Sequence, residues 1–210
     1  MYEVSNQVAA IDQHERGRCA ACYLVVVLQI IEDRFFEGRA RIDLKQALRD
    51  FESFHKSREE SGWDACRGGF PEDVVECFAE RHCQGSLGLA SPKFVILQPD
   101  DVQTELRERG TVGLYVDARL VRLTDALGVV ADACATETGF WEENHCVACV
   151  GWNQHGWVCR NSWGPSVPVG STRVPWNSLP QRPGYFVLSF LYPPLEYFGE
   201  ESVWFAIQRA

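Results

Sequence analysis

Residues 22–37 have the sequence CYLVVVLQIIEDRFFE, a long apolar segment without glycine or proline. Its length favours a buried helix over a strand, although its β-branched residues make the distinction less sharp. Gly38 follows directly and is suited to cap such a helix. The segment therefore predicts a buried helix that begins at Cys22.

Two further helices and a later group of strands are predicted around this segment. Residues 43–53 (DLKQALRDFES) are amphipathic, and residues 71–82 (PEDVVECFAERH) begin with proline and acidic residues, which favour a helix start. Helical patterns thus dominate roughly the first 85 residues. The second half contains short β-rich segments bounded by Gly, Pro, Asn or Asp, at 112–116, 146–152, 156–160, 185–190 and 203–207.

Helices followed by strands predict an α+β fold. We expect one domain with two lobes, a helical lobe over about 13–100 and a β lobe over about 101–210. The stretch 164–183 contains five prolines and two glycines, which predicts a long surface loop.

The composition excludes some classes of partner. The chain has 210 residues and a net charge of −9, so neither nucleic acid nor an anionic membrane surface attracts it. No run of 18 apolar residues occurs, which argues against membrane insertion. Residues 1–13 lack the basic start and apolar middle of a signal peptide.

Nine cysteines allow two interpretations. If eight are bridged in an oxidising compartment, one thiol is left over and is a candidate nucleophile. In a reducing compartment they would instead be buried thiols that act as small apolar side chains. A zinc site near His145 and His155 is disfavoured, because Cys146 and Cys149 would point to opposite faces of one strand. We therefore expect no metal or other cofactor.

Cys22, His145 and Asn161 fit the requirements of thiol catalysis. A cysteine nucleophile needs a histidine to take and return a proton, and a third group to orient the imidazole. The thiolate form is favoured at a helix N-terminus, where Cys22 lies. His145 and Asn161 each lie beside a predicted strand. We expect the three to meet in a cleft between the lobes.

Several short motifs resemble those of the papain family of cysteine peptidases (family C1), in the family's order. They are CAACY at 19–23, KQALRD at 45–50, CRGG at 66–69, NHCV at 144–147 and RNSWG at 160–164, and the resemblance extends over roughly 8–208. It implies a papain-like fold with a helical lobe, an antiparallel β-sheet or barrel lobe and an active-site cleft between them. It also implies a peptidase that forms a thioester acyl-enzyme.

The resemblance assigns roles to the catalytic residues. Cys22 would be the nucleophile, His145 its proton partner and Asn161 the residue that orients His145. Gln13, together with the backbone N–H of Cys22, would donate to the oxyanion. Trp163 would shield the hydrogen bond between His145 and Asn161 from water.

Further roles concern the substrate and a disulfide. Gly68 and Gly69 would let the substrate backbone approach closely, because neither has a Cβ. Asn144 would lie beside them in the substrate site, and Cys19 would form the family's usual disulfide with Cys66. Peptides or proteins are the implied substrates, and lysosomal or secreted proteins the implied class, although this chain shows no signal peptide.

The interval between Gln13 and the nucleophile leaves two alignments open. Gln13 precedes Cys22 by nine residues, which resembles the cathepsin X (cathepsin Z) subfamily of carboxypeptidases. In that subfamily a His follows the Gln and helps to hold the substrate's terminal carboxylate, a role that His14 would take here. Alternatively Cys19, at the family's ordinary spacing of six, is the nucleophile and Cys22 a core residue. The aromatic Tyr23 favours Cys22.

Some features depart from the family pattern. Phe51 stands where the family has a cysteine of its second disulfide, and the segment 165–183 is longer and richer in proline. This segment is a candidate contact for a protein partner. These departures motivate an alternative function, in which a catalytically retired papain-like fold serves as a structural or protein-interaction subunit.

Overall fold

The computed structural model describes residues 1–5, 7, 20–39, 41–57, 71–83, 91–116, 129–130, 145–162, 166–169, 172–175, 184–190 and 203–209. None of the helices within these ranges is long and apolar enough to cross a membrane. The helices are α1 (Ala20–Phe35), α2 (Leu44–Ser57), α3 (Pro71–Phe78) and α4 (Val102–Arg109). The strands are β1 (Tyr2–Glu3), β2 (Pro92–Leu97), β3 (Val112–Val116), β4 (Val129–Val130), β5 (His145–Trp152), β6 (Trp157–Arg160), β7 (Ser166–Val169), β8 (Thr172–Pro175), β9 (Tyr185–Leu188) and β10 (Trp204–Arg209).

The apolar segment 22–37 forms most of helix α1, as predicted. Every residue from 24 to 31 is buried, and the helix packs against α2 and α3 as well as β3, β5 and β10. A helix that is apolar on all sides belongs in a core. At its end Glu37 and Gly38 take left-handed φ values of 54° and 72°, and the N–H of Gly38 donates to the carbonyl of Glu32 at 3.1 Å. Gly38 therefore caps α1 as expected.

Helices α2 and α3 are also confirmed, with ends that differ from the prediction. The carboxylate of Asp43 accepts hydrogen bonds from the backbone N–H groups of Lys45 and Gln46 at 2.9 and 3.2 Å, so it caps the start of α2. Helix α2 continues to Ser57, whereas α3 ends at Phe78 and passes into a π-helical turn over Ala79–Cys83. Phe51 is buried in the core where the resemblance implied a lost disulfide.

The predicted strands of the second half form one large sheet. Its order is β2-β10-β3-β5-β6-β9-β4, and β1 pairs with β5 beyond the end of β3. All pairs are antiparallel except the short β4–β9 pair. All eight residues of β5 are buried, which identifies it as a central strand. The α+β prediction is therefore confirmed.

The sequence patterns did not predict strand β2 or helix α4. Strand β2 pairs with β10 along its whole length, from Pro92 opposite Arg209 to Leu97 opposite Trp204. The segment 92–97 was assigned to the helical half, but it forms the edge strand of the sheet. Such an edge strand often begins with proline and is partly exposed, as this one is. Its apolar pattern is therefore too weak to predict a strand from the sequence.

The predicted surface loop over 164–183 contains a two-stranded sheet, so that prediction is wrong in part. Strands β7 and β8 pair antiparallel, with Val169 opposite Thr172. The two residues between this pair are Gly170 and Ser171, a dipeptide that is a recognised hairpin signal. Proline is tolerated in both strands because each is an edge strand.

Four of the nine cysteines are buried in the core. Cys77, Cys146, Cys149 and Cys159 are buried thiols outside any disulfide. The interpretation in which eight of the nine cysteines are bridged therefore does not hold for these four. They act as small apolar side chains in the core.

A fully buried ion pair joins α1 to the sheet. Arg160, at the end of β6, donates through Nη2 to Oδ2 of Asp33 at 2.8 Å and through Nη1 to Oδ1 at 3.3 Å. Neither side chain is exposed to solvent. The hydroxyl of Thr111 donates to Oδ2 of Asp33 at 2.7 Å. Two buried charges are tolerated here because they neutralise each other with bidentate geometry.

Glu32, next to Asp33, ties α1 to the chain that precedes α2. Its Oε1 accepts the backbone N–H groups of Arg41 and Ile42, both at 2.8 Å, and its side chain is buried. Burial raises the pKa of Glu32 above its ordinary value of 4.5, even though the two hydrogen bonds act in the opposite direction.

We expect Asp33→Asn to lower the free energy of unfolding by about 3–5 kcal/mol, because it leaves the Arg160 charge buried without its counterion. Urea unfolding measures the loss. The double variant Asp33→Leu/Arg160→Met should recover most of it, because no buried charge then remains. The matched control is Arg39→Gln, which removes a largely exposed pair with Glu37 at 3.6 Å. It should cost less than about 1 kcal/mol. Similar losses in Asp33→Asn and Arg39→Gln would contradict this account.

We expect Glu32→Gln to stabilise the protein increasingly as the pH rises above about 4.5. Folded Glu32 holds its proton more tightly than the unfolded chain does, so wild-type stability falls as the pH passes from 4.5 to the raised pKa. Glutamine keeps an oxygen for both N–H groups and has no charge to bury. Urea unfolding across this range measures the difference, with exposed Glu37→Gln as the control. A difference that does not change with pH would refute the prediction.

Candidate active site

His145 and Asn161 form a buried hydrogen-bonded pair. Nε2 of His145 lies 2.8 Å from Oδ1 of Asn161, and the two residues are 2% and 0% exposed. His145 is the first residue of β5, and Asn161 directly follows β6. These strands are antiparallel neighbours joined by a short turn, in which Oδ1 of Asn153 accepts the N–H of His155 at 2.8 Å. The hairpin therefore brings together two residues that the sequence had singled out separately.

Neighbouring hydrogen bonds fix the orientation of the Asn161 side chain. Its Oδ1 also accepts the backbone N–H of Ser162 at 2.8 Å, so the atom at this position must be the carbonyl oxygen rather than the amide nitrogen. The backbone N–H of Asn161 donates to the carbonyl of Gly184 at 2.8 Å. Both the main chain and the side chain of Asn161 are thus held in place.

This orientation sets the chemistry of the imidazole. Because Oδ1 of Asn161 can only accept, Nε2 of His145 must carry a proton in this pair. The second ring nitrogen, Nδ1, is then the atom that can take a proton from a nucleophile and return it later. A histidine held in this way is suited to act as a general base and acid.

Cys22 lies in the first turn of α1, which begins at Ala20. This turn contains no acidic residue, so no carboxylate within it offsets the positive end of the helix dipole. Such a position lowers the pKa of a thiol and favours the nucleophilic thiolate. The structure describes the backbone of Cys22 but not its side chain, and it describes neither for Cys19.

The remaining predicted site residues lie outside the described residues. Their assigned roles therefore stay predictions. They are Gln13, His14, Cys19, Cys66, Gly68, Gly69, Asn144 and Trp163.

The described cysteines of the sheet are poor candidates for the nucleophile. Cys149 on β5 lies directly opposite Cys159 on β6, and both are fully buried. Burial raises the pKa of the Cys159 thiol well above its ordinary value, and the hydrogen bond with Cys149 adds to the effect. Because the thiolate is the reactive form, Cys159 is inert at neutral pH.

Sequence analysis missed the partner of Arg160, the residue directly before Asn161. Arg160 is held by Asp33, eleven residues after Cys22 on α1. The ion pair therefore links the helix that carries Cys22 to the strand that ends beside Asn161. A charged residue within an apolar helix and another within an apolar strand were visible in the sequence, and buried charges require partners.

Comparisons with known proteins give a match in structure only. No protein-family model and no curated protein sequence matches the chain. Among solved structures, the digestive procathepsin L 3 of the Tenebrio molitor larval midgut is similar with a TM-score of 0.62 and 16% identity, over 97% of this chain and 67% of that chain. Identity this low shows the fold alone, and it gives no support to a specific likeness to the cathepsin X subfamily. The chain therefore has an α+β fold of the kind found in papain-like procathepsins.

Proposed function

We propose that this chain is a cysteine peptidase in which Cys22, His145 and Asn161 form the catalytic triad. The observation that carries the proposal is the buried hydrogen bond of 2.8 Å between His145 and Asn161. It occurs in a papain-like fold, in which helix α1 places Cys22 in its first turn. The three residue types stand in the chain order that the sequence resemblance requires.

The proposed reaction uses His145 twice. Nδ1 of His145 takes the thiol proton of Cys22, and the thiolate attacks the carbonyl carbon of the scissile peptide bond. The resulting imidazolium then protonates the leaving amine, and a thioester joins the substrate's acyl group to Cys22. Water attacks this thioester after giving a proton to His145, and the thiol is regenerated. Throughout, Asn161 holds Nε2–H and keeps the ring in one orientation.

The path of the N-terminal segment supports the roles of Gln13 and His14. Tyr2 and Glu3 pair antiparallel with Trp152 and Gly151, and the N–H of Val4 donates to the carbonyl of Val150 at 2.8 Å. The hydroxyl of Tyr185, which pairs with Arg160, donates to Oε1 of Gln7 at 3.2 Å, so Gln7 lies near the end of β6 that precedes Asn161. From there Gln13 would join the backbone N–H of Cys22 as an oxyanion donor, a contribution typically worth about 2.7–4 kcal/mol.

The substrate is proposed to be a peptide or protein. Gly68, Gly69 and Asn144 would line the site along its backbone, and Trp163 would cover the His145–Asn161 pair. His14 would bind a free terminal carboxylate, which makes carboxypeptidase action the favoured specificity. A Cys19–Cys66 disulfide, a lysosomal or secreted location and a protein partner at 165–183 belong to the same proposal.

Covalent labelling tests the nucleophile. An epoxide directed at papain-like peptidases should modify the freshly reduced protein once, and Cys22→Ala should abolish the labelling, because the epoxide ring is opened by a thiolate. Mass spectrometry of the intact protein measures the added mass. Cys19→Ala is the matched control and should leave the labelling unchanged.

Two results would contradict this assignment. Labelling that survives Cys22→Ala but disappears in Cys19→Ala would make Cys19 the nucleophile. A wild-type protein that does not react would favour the catalytically retired alternative.

Carboxypeptidase specificity is tested with paired substrates that differ only in a free or amidated C-terminus. We expect kcat/KM to be about 10- to 100-fold higher for the free acid, because a charge-assisted hydrogen bond from His14 contributes about 1.5–3 kcal/mol. His14→Ala should remove most of this preference while the amidated substrate is cleaved as before. Equal rates for the two wild-type substrates would exclude the exopeptidase role and leave an endopeptidase.

A further inference from the structure

A pocket of about 440 Å³ opens at the end of α1 that is remote from Cys22. Its walls come from the C-terminal ends of α1, α4 and β10, and they include Arg34, Arg109 and Arg209. Arg34 follows Cys22 by twelve residues, which corresponds to about 18 Å along the helix at about 1.5 Å per residue. The pocket is therefore distinct from the proposed active site.

Arg34 is a nearly buried arginine in the wall of this pocket. Its side chain is only 4% exposed. Its Nε donates to the carbonyl of Arg109 at 2.9 Å, and its Nη2 donates to the carboxylate of Glu105. Its Nη1 is buried and has no hydrogen-bond partner in the described part of the chain. The buried positive charge of Arg34 in the wall favours a negative charge in the pocket.

The local charge also favours an anion. The carboxylate of Glu105 pairs with both Arg34 and Arg109. Its Oε2 lies 3.0 Å from Nη1 of Arg109, and its Oε1 accepts a hydrogen bond from Nε2 of Gln208 at 3.3 Å. Arg209 is exposed and lies over the ring of Phe35, with its guanidinium carbon 5.3 Å from the ring centre.

Among the described residues that line the pocket, the three arginines outnumber the one carboxylate, that of Glu108. The chain's overall charge of −9 has little effect here, because charges beyond about 8 Å are largely screened at physiological salt.

We propose that this pocket binds a compact oxyanion, a phosphate or sulfate group of a small molecule, through Arg109 and Arg209, beside the buried charge of Arg34. Guanidinium groups bind such oxyanions with paired hydrogen bonds. The volume exceeds that of a bare ion and lies within the range of small-molecule sites, about 300–1,000 Å³, so the remainder of the ligand has room. The proposal does not depend on peptidase activity.

Calorimetric titration tests the site, with inorganic phosphate and sulfate in separate arms at constant ionic strength. Saturable binding of either ion is expected, and the tighter of the two identifies the group that the pocket prefers. Arg209→Gln and Arg109→Gln should each weaken binding about tenfold or more, because each removes a charged donor. Glu108→Gln should strengthen binding, because it removes a negative charge from the wall.

Arg107→Gln is the matched control. Arg107 is on the same helix and carries the same charge, but it lies over the ring of Trp152 at 4.9 Å and does not line the pocket. This variant should bind like the wild type.

Two outcomes would overturn the proposal. Wild-type protein that shows no saturable binding of either ion would exclude the site. Equal weakening by Arg107→Gln and Arg209→Gln would show a general charge effect instead. If Arg109→Gln fails to fold because it releases Glu105, Arg209→Gln and Glu108→Gln still decide the question, since both residues are exposed.

Discussion

The ion pair between Asp33 and Arg160 constrains how helix α1 lies against the sheet. Neither charge is exposed, so each is tolerated only while the other is in place. This requirement fixes the position of α1 against β6 more strictly than apolar packing alone would, because apolar side chains tolerate small shifts and a bidentate pair does not. Helix α1 begins near Cys22 and β6 ends beside Asn161. The ion pair therefore sets the relation between the two halves of the proposed triad.

The residues of the proposed triad are positioned by two different kinds of contact. His145 and Asn161 belong to one hairpin, and their hydrogen bond depends on the pairing of adjacent strands. Cys22, the proposed nucleophile, lies on a helix whose contacts with the sheet are distant in sequence. The same helix carries the proposed nucleophile at one end and, at the other, Arg34 in the wall of the arginine-lined pocket. The pairing of adjacent strands thus orients His145, and long-range packing positions the helix that carries Cys22.

The sequence predicts the helices and strands that have strong apolar patterns, but not those whose patterns are weak. Helix α1 and strand β5 are almost entirely apolar, and both were expected. Helix α4 has the sequence VQTELRER, in which Val102 and Leu106 are the buried apolar residues, so its periodicity was too weak to recognise. The His145–Asn161 contact was anticipated from motifs. The Asp33–Arg160 contact was not, because no local pattern tells which of many charges will meet across 127 residues.

The pairing of β1 with β5 has a consequence for how the chain reaches this structure. Tyr2 pairs with Trp152, and Asp33 with Arg160, so both contacts join segments that are far apart in the sequence. Contacts so distant in sequence make folding slow, because the entropy of closing long loops is lost before the contacts form. Until strands β5 and β6 are buried in the core, the thiols of Cys146, Cys149 and Cys159 are exposed to solvent and oxidants. The burial that makes these cysteines inert in the finished protein therefore gives them no protection during synthesis or refolding.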